Sequence, residues 1–233
     1  MLRRTMNFKL KPGVTRAQRD CLERVISQGA EHIPALHECV LGTNLNGAAD
    51  REYVWELLAE DILSVRAHPY HDNEMNSAIG PVVQALDVAY SDPIDVQVPH
   101  PGLRNVVKVT MLVELSDGVS DEIKREYEET NIASFIKAPQ LRNQVLSRAV
   151  APAGPISAAG PERWTHVVEQ ECASLSDLEE YLNSPVHRAI AEKWRFSHPT
   201  VISNVRRVVY QNPSSILAWY ERIVKAAALE GDG

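Results

Sequence analysis

A chain of 233 residues with 44% hydrophobic and 24% charged residues is long enough for one large soluble domain or two small ones. Its net charge of −7, with no basic stripe interleaved with aromatics, argues against a nucleic-acid surface. Three widely spaced cysteines (Cys21, Cys39 and Cys172) do not make a disulfide framework or a CxxC metal or redox site. The opening MLRRTMNFKLKPG is basic without an apolar core, which reads against a signal peptide. No apolar run reaches the ~18–20 residues of a membrane span, so a cytoplasmic protein is expected.

In chain order, Met6, Phe8 and Leu10 alternate with Asn7 and Lys9, which predicts a half-buried strand. Pro12-Gly13 turns the chain. Thr15 with Gln18 forms a capping-box pattern, and Leu22, Val25 and Ile26 supply the apolar stripe of a helix. A short strand is predicted over about 36–42, a loop over NLNGAAD (44–50) and an aromatic-led strand over EYVWELLAE (52–60). Then come a helix restarted at Pro69 and a strand near 86–90. The segment SDPIDVQVPHPGLRN (91–105), with three prolines, reads as a linker. Beyond it the order repeats. NVVKVTMLVELSDGVS gives a strand and turn, a helix starts at Ser120, and a strand covers about 142–150. A loop (151–162), the strand RWTHVVEQE (163–171), a second helix with a Pro-x-His and the strand VISNVRRVVY (201–210) complete the second half. SSILAWYERIVKAAALE (214–230) reads as an extra amphipathic helix.

Each half has the order β-α-β-β-α-β of a ferredoxin-like unit. The expected fold is α+β, with ferredoxin-like repeats over 1–95 and 105–212, a linker at 96–104, and a C-terminal helix and tail over 213–233. Two helices cover only one face of a four-stranded sheet. The two sheets are therefore expected to cover each other as an intramolecular dimeric α+β barrel. The alternative is two domains that each pair with another chain. An exposed stripe on the tail helix would favour a homodimer.

The Pro-x-His recurs in HPYH (68–71) and SPVH (184–187). Pro185 cannot continue a helix but can open one at its first position, with Ser184 as N-cap. His187 then lies in the first turn, where the helix dipole disfavours its charged form and leaves a proton acceptor. Pro69 places His71 the same way. A packing or solvated His is the competing reading. Ser176 with Glu179 reads as the capping box of the preceding helix, with Leu178, Tyr181 and Leu182 on one side. In the strand before it, Trp164, His166 and Val168 share a face by the period of two. If that face lines an inter-sheet cavity, His166, Tyr181 and His187 form a proton-transfer cluster. By position along the halves, Trp55 stands in the place of His166 and Tyr53 in that of Trp164. Only the second half then carries a polar, catalytic-looking set.

The stretches FKLKPGVT (8–15), YVWEL (53–57), HPYH (68–71), WTHVVE (164–169) and YLNSPVH (181–187) resemble the stress-responsive A/B barrel (Dabb) domain family. The resemblance covers both halves. It implies ferredoxin-like units that pair through their sheets. The relatives of the olivetolic acid cyclase type perform a cofactor-free aldol cyclisation with a Tyr and a His. That pair corresponds to Tyr181 and His187, and the family's strand His to His166. Ser184 replaces the first His of HPxH, and Val65 stands where the first half would need the Tyr, so proton transfer is better carried over than aldol closure itself.

These readings combine into a cofactor-independent lyase or cyclase acting on an aromatic small molecule by decarboxylation, dehydration or ring closure. His187 would move the proton, Tyr181 would serve the oxygen, and His166 would orient the substrate. Trp164, Trp55, Tyr53 and His71 are the expected substrate-binding residues, with no cofactor, metal, nucleic acid or membrane involved. The competing class is a non-catalytic stress or small-molecule-binding protein. A third reading draws His68, His71, Asp72 and Glu74 as a metal cluster, or a His as a haem ligand. No GxGxxG, P-loop, GxSxG or HExxH is present.

Overall fold

A computed structural model describes residues 2–45, 52–150, 164–197 and 200–220. The chain divides into two compact units. The first is Met1–Asp92 with Ala149–Arg163, and the second is Pro93–Arg148 with Trp164–Gly233. Both are α+β.

In the first unit β1 (Leu2–Leu10) leads through the Gly13 turn to α1 (Arg16–Ser27) and the short α2 (Gly29–His32). Gly13 has φ +81°, a conformation that glycine adopts without steric cost. Thr15 Oγ1 accepts from the Gln18 amide at 3.3 Å, and the Gln18 side chain accepts from the Thr15 amide at 2.9 Å. This is the capping box that the sequence predicts. Strands β2 (Leu36–Thr43) and β3 (Tyr53–Ala59) follow, then α3 (Ile62–Ala67). The helix restarts at Pro69, passes a wide π turn over His71–Met75 and ends as α4 (Asn76–Ile79). Strand β4 (Val83–Gln97) is longer than expected and runs through Pro93 into the stretch read as linker. Within this unit the antiparallel order is β2-β3-β1-β4.

The second unit repeats the plan. β5 (Arg104–Leu115) turns at Gly118, again at φ +81°, into α5 (Asp121–Ile136), capped by Ser120. β6 (Leu141–Ala149) and β7 (His166–Cys172) follow. Next come α6 (Leu175–Asn183), α7 (Pro185–Ala191), a π turn over Glu192–Ser197 and β8 (Ile202–Ser214). The order is β6-β7-β5-β8. The cap of α6 is Ser174, which accepts from the Asp177 amide at 3.0 Å, and not Ser176 as the spacing suggested. Ser184 caps α7, with Pro185 at its first position, as expected. Residues 218–220 are helical; the rest of the predicted tail helix and the 151–162 loop lie outside the described residues.

The turn glycines and the strand registers fix how the repeats correspond. Aligning Gly13 with Gly118 sets Arg4 with Val109, Met6 with Met111 and Phe8 with Val113. Phe8 pairs with Tyr53, and Val113 pairs with His166. Tyr53 is therefore the counterpart of His166, and Trp55 is that of Val168. This corrects the positional match made from sequence, because the loops before the two strands differ in length. A shared ion pair supports the alignment. Arg3 meets Glu56 at 2.8 Å in one unit, and Lys108 meets Glu169 at 2.6 Å in the other, all almost fully buried. Removing one partner of such a pair costs about 3–5 kcal/mol, because the remaining charge is stranded.

The helix-side cores differ. The first unit has one continuous core, built around Phe8, Leu22, Ile26, Trp55, Leu57 and Met75. In the second unit the described core is split among separate clusters, including one around Val109, Leu178, Tyr181 and Val209 and another around Val113, Tyr127 and Trp194; Met111 touches both.

Candidate functional site

A cavity of about 420 Å³ lies in the second unit, bounded by sheet residues of β5, β7 and β8 and by helix residues of α5, α6, α7 and the π turn. Its wall is mainly apolar, and Tyr127, Tyr181 and Trp194 supply aromatic rings. The polar groups on the wall include Tyr127, Asn131, Gln170, Tyr181, His187 and Arg207. An apolar chamber with a few convergent polar groups is the usual form of a small-molecule site. Val205 and Arg207, both on β8, are its exposed wall residues and mark the entrance.

Two of the expected catalytic residues meet here. Tyr181, at the end of α6, and His187, in the first turn of α7, pack edge to face with ring centroids 5.1 Å apart. The Ser184–Pro185 restart brings them together, since it breaks the helix between them and fixes the entry angle of α7. Burial, and then the charge of Arg207, lower the His187 pKa. Its ring nitrogens have no hydrogen-bond partner among the described residues. Burial raises the Tyr181 phenol, and a hydrogen bond with the Gln170 side chain opposes that rise. Gln170 is itself held, donating to Gln144 at 2.8 Å, while Gln144 donates to the Asn131 carbonyl at 3.0 Å.

His166 lies outside the wall. Its ring turns toward α5. Nε2 lies 3.1 Å from Glu128, Nδ1 lies 3.0 Å from the Thr165 hydroxyl, and the ring packs on Tyr127 at 5.1 Å. Arg148 holds the same carboxylate through two bonds of 2.6 and 2.7 Å and is the main cause of the lowered Glu128 pKa. Burial lowers the His166 pKa more than Glu128 raises it. The counterpart in the first unit is Tyr53, whose hydroxyl donates to Glu23 at 2.8 Å and accepts from Arg19 at 2.7 Å. Both repeats thus tie a strand aromatic to a helix carboxylate.

The other expected binding residues are placed elsewhere. Trp164 is buried but off the wall. Trp55, Tyr53 and His71 belong to the first unit, where they are buried. Arg4 stacks on Trp55 at 4.1 Å and pairs across the strands with Tyr90, in positions that Val109, Val168 and Val209 occupy in the second unit. His71 lies near Asp72 (3.6 Å) and Asn76 (3.5 Å), and burial followed by the Arg4 charge lowers its pKa. The His68 ring accepts from the Tyr70 amide at 3.3 Å. No cluster of three or more His, Cys, Asp or Glu side chains among the described residues could hold a metal. Sequence reasoning missed Arg207, Trp194, Tyr127, Asn131 and Gln170. Arg207 left a trace, as the one charge on the Val205–Arg207–Val209 face of an otherwise apolar strand.

Comparison with known proteins places the fold. No protein-family model matches the chain, and no curated protein matches it by sequence. Among solved structures, it is similar to a candidate monooxygenase from Fusobacterium nucleatum, with a TM-score of 0.64 and 8% identity over 91% of this chain and 92% of that one. It is likewise similar to an anthrone oxidase-like protein, with a TM-score of 0.63 and 11% identity over 90% of each chain. A mutant chlorite dismutase from Candidatus Nitrospira defluvii gives a TM-score of 0.59 at 9% identity, over 93% and 92%. These likenesses show the fold alone, an α+β architecture of two ferredoxin-like repeats. Among the described residues no helix is long and apolar enough to cross a membrane.

Proposed function

We propose that the second repeat is a cofactor-independent acid–base catalyst of the lyase or cyclase class, acting on an aromatic small molecule. The observation that carries this reading is the Tyr181–His187 pair on the wall of an apolar 420 Å³ cavity. A neutral imidazole whose ring nitrogens are open to a ligand takes a proton from an acidic C–H or phenol. A phenol kept protonated by burial donates to the oxygen on which charge develops. Decarboxylation, dehydration and ring closure all need these two operations. The Tyr127, Tyr181 and Trp194 rings favour an aromatic body. His166 acts at one remove, bracing α5 through Glu128. The resemblance of YLNSPVH to the Dabb family supports the same pair, and membership in that family is part of the proposal.

One observation favours a second reading, a binding protein without chemistry. No described side chain orients the His187 ring through its other nitrogen, as a third group does in many base–nucleophile sites. Ligand-induced thermal shift with phenolic acids and aromatic ketones, followed by product analysis, separates the two. The catalytic reading predicts stabilisation of the wild type, His187→Ala and Tyr181→Phe alike, with turnover by the wild type at least about 10²-fold faster than by either variant. Stabilisation without turnover by the wild type across pH assigns the cavity to binding.

A further inference from the structure

We infer that Arg207 is an anion anchor at the cavity entrance, and that the ligand is an aromatic monocarboxylate whose ring lies among Tyr127, Tyr181 and Trp194. The inference rests on reading the cavity as a ligand site, and it adds the chemical class of what enters.

Of the sixteen residues lining the cavity, Arg207 is the one with a permanent charge. It forms no ion pair or side-chain hydrogen bond among the described residues. Several other cations of this unit are engaged: Lys124 with Asp121 at 3.0 Å, Lys193 with Glu126 at 2.6 Å and Arg148 with Glu128. The strand register then sets its direction. Arg207 pairs with Met111 and shares its face with Val205 and Val209, the face that meets the helices. An arginine there interrupts the apolar face at the point where the chamber opens to water. A guanidinium left partly hydrated at such a rim costs little in the empty protein. Facing low-dielectric walls, it attracts an anion more strongly than it would in bulk water.

The same inventory selects the anion. A single guanidinium matches a planar carboxylate with two parallel bonds. A phosphate would carry about twice the charge into a chamber with one cation and mostly hydrocarbon walls, leaving part of its charge without a partner. A ring attached to the carboxylate would extend inward toward Tyr181 and His187, which brings its far substituent to the proton-transfer pair.

This geometry also couples the anchor to the base. The titratable or charged groups on the wall are Tyr127 from α5, Tyr181 from α6, His187 from α7 and Arg207 from β8; β5 and β7 contribute none. A carboxylate on Arg207 offsets one of the two causes that disfavour protonated His187. The bound ligand therefore makes His187 a stronger base.

The test compares 4-acetylbenzoate with its methyl ester, two ligands of nearly the same shape, by calorimetry or ligand-observed NMR. The wild type is expected to bind the acid at least tenfold tighter than the ester. Arg207→Gln abolishes that preference while keeping the ester affinity, and Arg207→Lys retains part of it. His187→Ala keeps the preference, and the His187 imidazole NMR titration moves up when the acid is bound. Equal binding of acid and ester by the wild type, an unchanged preference in Arg207→Gln, or no binding of either at millimolar concentration overturns the anchor. Binding with the preference but without turnover leaves the anchor standing and removes the catalytic reading. Turnover of neutral ketones without the preference does the reverse.

Discussion

His187 is disfavoured as a cation by two effects of the same sign, burial first and the Arg207 charge second. The folded protein therefore holds this imidazole neutral at pH values where the unfolded chain, with an ordinary pKa near 6.5, begins to protonate. The unfolded state binds more protons in that window, so stability contributed by the neutral ring is complete above about 6.5 and declines as pH falls below it. Burial lowers His71 and His166 as well, so they act in the same direction. An NMR titration of the His187 ring is expected to give a midpoint below 6.5, and Arg207→Gln is expected to raise it. A wild-type midpoint at or above 6.5 would contradict the account. At this scale the sequence was informative where a backbone rule acts. Pro185 and Ser184 fixed the place of His187, and six residues of spacing brought Tyr181 beside it. It was silent on Arg207, because nothing local tells which strand face meets a hollow.

The two repeats share their element order, turn glycines, helix caps and buried ion pair, and differ in what fills the space between sheet and helices. Arg4, Trp55 and Tyr90 of the first unit stand at the positions of Val109, Val168 and Val209 in the second, and Val109 lines the cavity. Truncation should therefore cost differently in the two. Trp55→Ala removes a buried ring from a continuous core and is expected to lower the unfolding free energy by about 3–5 kcal/mol. Ile190→Ala trims a wall that already faces a void, and less than about 2 kcal/mol is expected, the bottom of the range for aliphatic truncations. Urea denaturation of both variants checks the contrast, and equal losses would mean that the second core is as tightly filled as the first. The element order was legible from periodicity and turn residues. The match between the repeats was not, because it depends on strand register, and loops of unequal length shift one strand against the other in the linear comparison. For the same reason linear position matches Trp55 to His166, a place that the register gives to Tyr53.

Taken whole, the chain is a duplicated ferredoxin-like α+β protein whose second repeat holds a chamber, while bulky Arg4 and Trp55 side chains stand at the matching positions of the first. The duplicated fold was legible because strand alternation, turns and caps are local signals. The chamber was not, because volume is a property of packed residues far apart in sequence: its wall joins β5, α5, β7, α6, α7 and β8. The central claim is that His187 moves a proton on a ligand held in that chamber. Deuterium incorporation into the acetyl methyl group of 4-acetylbenzoate and of its methyl ester, followed by NMR in D2O, measures that step whatever the natural reaction is. The account predicts exchange by the wild type well above the buffer rate on at least one of the two, and exchange at the buffer rate with His187→Ala. Wild-type exchange no faster than buffer on both probes, or undiminished exchange in His187→Ala, would contradict it.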